Sequence, residues 1–158
     1  MQEISLPSQR IFIRNNLNEI PRVVQMIGAF LARLELSSSL SFDFSLAADE
    51  LLTNVITYGF EDEQAHDIQV QIRRTDKAIV LCIEDDGRAY DPTQARPPDL
   101  AAGLMERSVG GLGIHLVRQF MDHLAYHREN EKNVLILTKN LPSQKGTQTH
   151  GMHRRETK

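Results

Sequence analysis

The chain predicts one α+β domain with a mixed or antiparallel sheet. Three observations carry that expectation. Two stretches with apolar residues at helical spacing, Asn18 to Glu35 and Phe42 to Tyr58, precede two β-like runs, Ile68 to Arg74 and Ala78 to Glu84. A third helical stretch, Gly113 to Asp122, leads into two more strand-like runs, Leu124 to Glu129 and Val134 to Lys139. At 158 residues the chain is one domain's length, long enough to enclose a core, and it shows no internal repeat.

The elements follow in order. Ser5 to Arg14 reads as extended, with Ile11 and Ile13 on one face and Phe12 opposite. The first helix places Ile20, Val23, Val24, Ile27, Leu31 and Leu34 on one side, with Asn18 as N-cap and Pro21 in the first turn. A serine-rich turn, Ser37 to Ser41, separates it from the second helix, whose stripe is Phe44, Ala47, Ala48, Leu51, Val55 and Tyr58. Glu50, Thr53, Asn54 and Thr57 fall on a neighbouring face, and Gly59 ends the helix as a C′ residue. Glu61 to Asp67 is a charged loop, and Thr75-Asp76-Lys77 turns between the next two strands. Arg88 to Val109, with Pro92, Pro97, Pro98 and Gly103, is a long irregular segment of the kind that is usually functional or disordered. After the third helix, Asn130 to Asn133 is expected to form a hairpin turn.

Composition excludes several classes. Hydrophobic content of 41% and charged content of 25% are ordinary for a soluble protein. A net charge of −3 does not provide a general nucleic-acid or anionic-membrane surface. The single cysteine, Cys82, rules out an internal disulfide and an all-cysteine zinc site, and reads as a core residue. Met1 to Leu6 lacks the basic and apolar segments of a leader, and no run approaches the roughly 20 apolar residues of a spanning helix, so a cytoplasmic location is expected. Pro142 to Lys158 is polar and aperiodic, and the domain is therefore placed at 1–141 with a disordered tail at 142–158. No Ser-His-Asp or Cys-His arrangement emerges, and His123 and His127 straddle an expected helix-to-strand boundary.

Three motifs carry the chemistry. Glu50 and Asn54 are four apart on a helix and share a face. Alone they fit a solvated polar face. They also fit a phosphoryl-transfer pair, in which the carboxylate accepts a hydroxyl proton and the amide oxygen ligates Mg²⁺. Asp85-Asp86-Gly87 closes an apolar run. It fits an Asp-Gly hairpin turn, or a carboxylate that accepts an adenine amine beside a glycine that lets the ring approach. Gly110-Gly111-Leu112-Gly113 precedes an amphipathic run, as a helix cap or as a turn offering backbone N–H groups to phosphates. No G-x-x-x-x-G-K-[ST] loop is present, so ATP would have to be held by another architecture.

In this order, E-x-x-x-N, D-x-G, an irregular segment, then G-x-G opening a helix, the chain resembles the Bergerat-type (GHKL) ATP-binding fold over residues 5 to 140. Asp49-Glu50-Leu51-Leu52-Thr53-Asn54, Tyr58-Gly59 and the run Ile83 to Pro92 are most similar to bacterial anti-sigma-factor serine/threonine kinases, as is Gly110 to Asp122. The resemblance implies a two-layer sandwich, a mixed and mostly antiparallel sheet with helices on one face. It implies Glu50 as catalytic base, Asn54 as Mg²⁺ ligand, Asp85 on adenine with Gly87 beneath the ring, and Gly111 and Gly113 facing the phosphates of ATP. Gly110, Leu112 and Ala89 join the nucleotide-contacting set; Ala89 stands where many members have the second glycine of D-x-G-x-G. Arg107 matches a lid arginine, although one or two extra residues separate it from the glycines. The implied activity is Mg-ATP-dependent phosphorylation of a STAS-type anti-anti-sigma protein, with a sigma factor as a further partner and self-association as a homodimer. The rival reading is a nucleotide-binding switch without turnover. Asp91 to Val109 is expected to form a lid over the phosphates.

Overall fold

The computed structural model describes residues 6–95 and 111–142. Strand β1 (Ser8–Arg14) pairs with β2 (Asp67–Arg74), β2 with β3 (Ala78–Asp85), β3 with β5 (Lys132–Asn140), and β5 with β4 (His123–Glu129). The five strands lie in the order β1-β2-β3-β5-β4, and all four pairings are antiparallel, where the sequence left room for a mixed sheet. Period-two alternation makes one face apolar. Ile13, Ile68, Val70, Ile72, Ile79, Leu81, Ile83, Leu135 and Leu137 are buried there, each contributing roughly 1.5–3 kcal/mol.

Three helices supply the second layer: α1 (Ile20–Arg33), α2 (Ser38–Tyr58) and α3 (Gly111–Phe120). α2 packs against both α1 and α3. Phe30 and Leu31 of α1, Phe44, Ala47, Ala48, Leu51 and Leu52 of α2, and Ile114 and Val117 of α3 join the buried strand residues in one core. The α+β, two-layer expectation therefore holds.

Helix starts differ from the sequence reading for identifiable reasons. Asn16, rather than Asn18, is the cap: its side chain accepts from the Asn18 N–H and opens a 3-10 turn at Leu17–Glu19 before α1 begins. α2 starts four residues earlier than expected, because Ser37 accepts from the Leu40 N–H at 3.2 Å and turns the supposed serine-rich linker into the first helical turn. Gly59 does close α2, but in right-handed conformation (φ −78°, ψ −24°) rather than as a left-handed C′ residue. The β4–β5 turn is also tighter than expected. Asn130 and Glu131 take φ of 50° and 62° and form a two-residue hairpin, which returns Asn133 to strand β5.

Candidate functional site

The C-terminal half of α2 runs beside the end of β3, and a cavity of about 220 Å³ opens between them. Leu51, Asn54, Val55, Tyr58 and Gly59 line one wall; Ile83 and Asp85 line another, and Ile114, Tyr126, Asn133 and Leu135 contribute from the neighbouring elements. That size and mixed lining suit part of a nucleotide. The i, i+4 spacing that placed Glu50 and Asn54 on one helical face aims both toward this region. The amide nitrogen of Asn54 is buried and has no hydrogen-bond partner among the described residues. An unpaired buried amide costs about 1–3 kcal/mol, which a ligand in the cavity would relieve.

Asp85, only 5% exposed, is the last residue of β3 and sits at the base of the cavity. Its Oδ1 accepts from the Gly87 N–H at 2.8 Å and from Asn133 Nδ2 at 2.9 Å. Burial pushes the carboxyl above its ordinary range; those two hydrogen bonds pull it back, Asp86 pushes it further up, and Arg128 lowers it. Asn133 in turn accepts at Oδ1 from the Tyr126 hydroxyl and from Arg128, each at 2.8 Å. The Asp-Gly pair is thus not a hairpin turn, since β3 has β2 and β5 for neighbours.

Two close approaches shape the walls. A β-carbon at Gly87 would lie 2.7 Å from the Gly59 carbonyl oxygen and 2.8 Å from Asp85 Oδ1. The Gly59 carbonyl also accepts from the Arg88 N–H at 2.7 Å, so the end of α2 is riveted to the chain leaving β3. A β-carbon at Gly59 itself would stand 2.5 Å from the Val55 carbonyl oxygen, which explains a glycine without a left-handed backbone. On the other side, a β-carbon at Gly113 would overlap the Glu50 carboxylate, 2.6 Å from its Cδ. The first turn of α3, whose N–H groups have no partner within the helix, therefore faces Glu50. Farther along α3, Arg118 donates to the carbonyls of Pro92, Thr93 and Ala95 and holds the 3-10 turn Pro92–Gln94 against the helix.

Of the residues singled out from sequence, Asn54 and Asp85 line one cavity, Gly87 abuts Asp85, and Glu50 meets Gly113 beside it. Gly111 is the first residue of α3. Ala89 is exposed, and its neighbours Arg88 and Tyr90 line the cavity in its stead; Leu112 is 45% exposed and is not in the lining. Arg107 and Gly110 lie outside the described residues, as do most of the expected lid and the tail. The sequence reading missed Asn133, which it placed in a turn, and Tyr126. The hairpin turn fixes Asn133 only against Arg128 of β4; it is the long-range pairing of β5 with β3 that brings Asn133 opposite Asp85, and no local signal carries it. His123 and His127 both lie on β4, and no cluster of three metal-ligating side chains occurs among the described residues.

Comparison with known proteins bears on this arrangement. A family described as the histidine kinase-like ATPase domain matches residues 13–139. The chain is 41% identical over 102 residues to the serine/threonine-protein kinase BtrW of Bordetella bronchiseptica, covering 65% of this chain and 72% of that one. It is 28% identical over 131 residues to an anti-sigma F factor of Clostridium botulinum, covering 81% of this chain and 89% of the relative. The solved structure of the RsbU and RsbW domains of Rv1364c from Mycobacterium tuberculosis superposes with a TM-score of 0.59 at 14% identity over 86% of this chain, a likeness of fold. This chain spans about a third of that larger one, 33%.

Proposed function

The chain belongs to the histidine kinase-like ATPase domain family and, within it, to the protein serine/threonine kinases that include BtrW, and from that premise we propose a specific reaction. It transfers the terminal phosphate of Mg-ATP to a serine or threonine of a STAS-type anti-anti-sigma protein. Through that transfer it switches between this antagonist and a sigma factor, acting as an anti-sigma factor in the cytoplasm, as a homodimer. The family and the anti-sigma F relatives support partner switching in general; the STAS-type substrate, the sigma factor, the dimer and the location are our extension.

The residues have separable tasks in this reading. Asp85 accepts the adenine amine, with Gly87 giving the ring access to the backbone. Asn54 fits a hard cation through the oxygen of its half-buried carboxamide, a ligand of the kind Mg²⁺ prefers, while its NH₂, unpaired among the described residues, can donate only to an acceptor such as a phosphate oxygen. When bound, the ion neutralises charge on the phosphates. Glu50 accepts the proton of the attacking hydroxyl at its carboxylate. The first turn of α3, kept open by Gly111 and Gly113, offers N–H groups to the phosphates, and Arg107 supplies a cation for the transferring group. A helix end contributes only about 0.3–1 kcal/mol, against the roughly 8 kcal/mol of micromolar binding. The adenine contacts and the cation must therefore supply most of the affinity.

One observation carries this reading: a buried carboxylate and an unsatisfied amide share a cavity beside which Glu50 meets the glycine-opened start of α3. The test offers the purified chain γ-labelled ATP with Mg²⁺ and lysate, and identifies the labelled acceptor by mass spectrometry. Label on a serine or threonine of a STAS-type protein is expected. Transfer to any other class of protein would remove that substrate, and no transfer alongside intact ATP binding would favour the switch without turnover.

A further inference from the structure

Asn133 is 7% exposed and makes contacts at both ends of its amide. Its Oδ1 accepts from the Tyr126 hydroxyl and Arg128, while its Nδ2 lies 2.9 Å from Asp85 Oδ1, 3.1 Å from the Arg88 carbonyl and 3.3 Å from that of Gly87. Rotating the amide by half a turn would set its oxygen against three acceptors and its NH₂ against a guanidinium that can only donate. Only one orientation satisfies these partners. Asn133 is therefore compelled to donate to Asp85, and both of the donors that Asp85 receives converge on Oδ1.

We propose that Asn133, locked by Tyr126 and Arg128, is a positioning residue that keeps Asp85 a pure hydrogen-bond acceptor and thereby selects a 6-amino purine over a 6-oxo purine. This rests on the Mg-ATP reading above and deepens it to base specificity. The chemistry follows from what a carboxyl group can do in each protonation state. A carboxylate accepts from a 6-amino group and repels a 6-oxo group; a carboxylic acid donates to the 6-oxo group and loses that discrimination. Burial and Asp86 favour the acid form of Asp85, whereas Asn133, the Gly87 N–H and Arg128 oppose it. Among the described residues, Tyr58 of α2, Arg88 and Tyr90 after β3, and Tyr126 of β4 are the other titratable or charged groups lining the cavity, and His66, Asp67, Glu84, Asp86 and Lys132 face Asp85 from its other side. Removing the Asn133 donor leaves burial less opposed, so Asp85 takes up a proton more readily and the base preference relaxes, most at low pH.

The experiment measures Mg-ATP and Mg-ITP affinity by calorimetry at a series of pH values descending from neutrality, because a raised carboxyl gains its proton progressively as pH falls. It uses the full chain, Asn133→Leu, and the milder Arg128→Gln, which alters an exposed side chain and guards against a misfolded Asn133 variant. The expected result is an ATP-to-ITP ratio that falls at least about tenfold in Asn133→Leu and about threefold in Arg128→Gln, more at the acid end. Equal weakening of both nucleotides, with the ratio unchanged, would show a merely structural role and overturn the inference while leaving ATP binding intact. Failure of the unaltered chain to bind ATP would overturn both readings together.

Discussion

The two ends of the cavity are built on opposite plans. At the base end, Asp85, Asn133, Tyr126 and Arg128 form a closed network in which each side chain meets a partner before any ligand arrives. At the other end, among the described residues the Asn54 amide nitrogen has no partner, and the Glu50 carboxylate lies against Gly113 with no hydrogen bond to another described side chain. A satisfied buried network is rigid and specifies one geometry, whereas unpaired groups retain free energy that a ligand can recover. On the proposed reading, recognition of the base is prepared in advance, and the end proposed as reactive stays open to the groups it would act on.

The contrast can be broken first at Glu50. Glu50→Ala is expected to lower phosphotransfer by roughly 10²–10⁴ while leaving ATP affinity nearly unchanged. Equal turnover in single-turnover assays would remove Glu50 from the chemistry. Gly87→Ala attacks the prepared end: the added carbon meets a backbone carbonyl and the Asp85 carboxylate, neither of which can retreat easily. Overpacking of this kind costs about 1–3 kcal/mol, so ATP affinity is expected to fall roughly ten- to hundredfold by calorimetry.

Gly113→Ala sharpens the comparison because its obstacle is the tip of a flexible side chain. The helix gains roughly 0.5–1 kcal/mol from losing a glycine, offsetting the displacement of Glu50. Thermal stability should therefore hold, while turnover drops about tenfold as the base leaves its place. If stability and turnover fell together, the open end would be as rigid as the closed one.

The smallest effect concerns pH and the loop beside the base end. His66 Nδ1 is 3.0 Å from Asp86 and Nε2 is 2.7 Å from Asp62, and its ring stacks on Phe60 with centroids 4.5 Å apart. Two carboxylates facing both ring nitrogens favour the imidazolium, so hydrogen bonds to Asp62 and then Asp86 raise the His66 pKa above its ordinary 6.5. Asp62 is correspondingly held below its ordinary 3.8, chiefly by the bond to His66. The stabilisation from His66 is then complete below pH 6.5 and lost as pH rises through the raised value. That from Asp62 is present above 3.8 and lost as pH falls through its lowered value. Compared with His66→Gln, the unaltered chain should gain melting temperature between those limits and lose the gain at alkaline pH. A pH-independent difference would assign the ring's contribution to its stacking on Phe60.

Periodicity was the most legible part of the chain. The stripe from Phe44 to Val55 and the alternation of Ile68, Val70 and Ile72 mark their elements without help, because burial repeats with the geometry of helix and strand. Capping was less legible: Ser37 reads equally as a loop residue until its hydroxyl is seen to accept from Leu40. Asn133 was illegible for a different reason. Its role depends on the register of β5 against β3, which places it opposite Asp85, a residue 48 positions away.

The order of residues alone determined which side chains share a helical face and which lie at strand ends, since both follow from the short-range repeat of the backbone. Glu50 with Asn54, and Asp85 with Gly87, needed nothing further. Only the tertiary structure decided that Gly113 stops against Glu50, that Gly59 meets Gly87, and that Asn133 is forced to donate to Asp85. Those contacts join segments far apart in the chain. They are set by strand order and helix packing, whose energies are spread over the whole core and are not encoded at any single position.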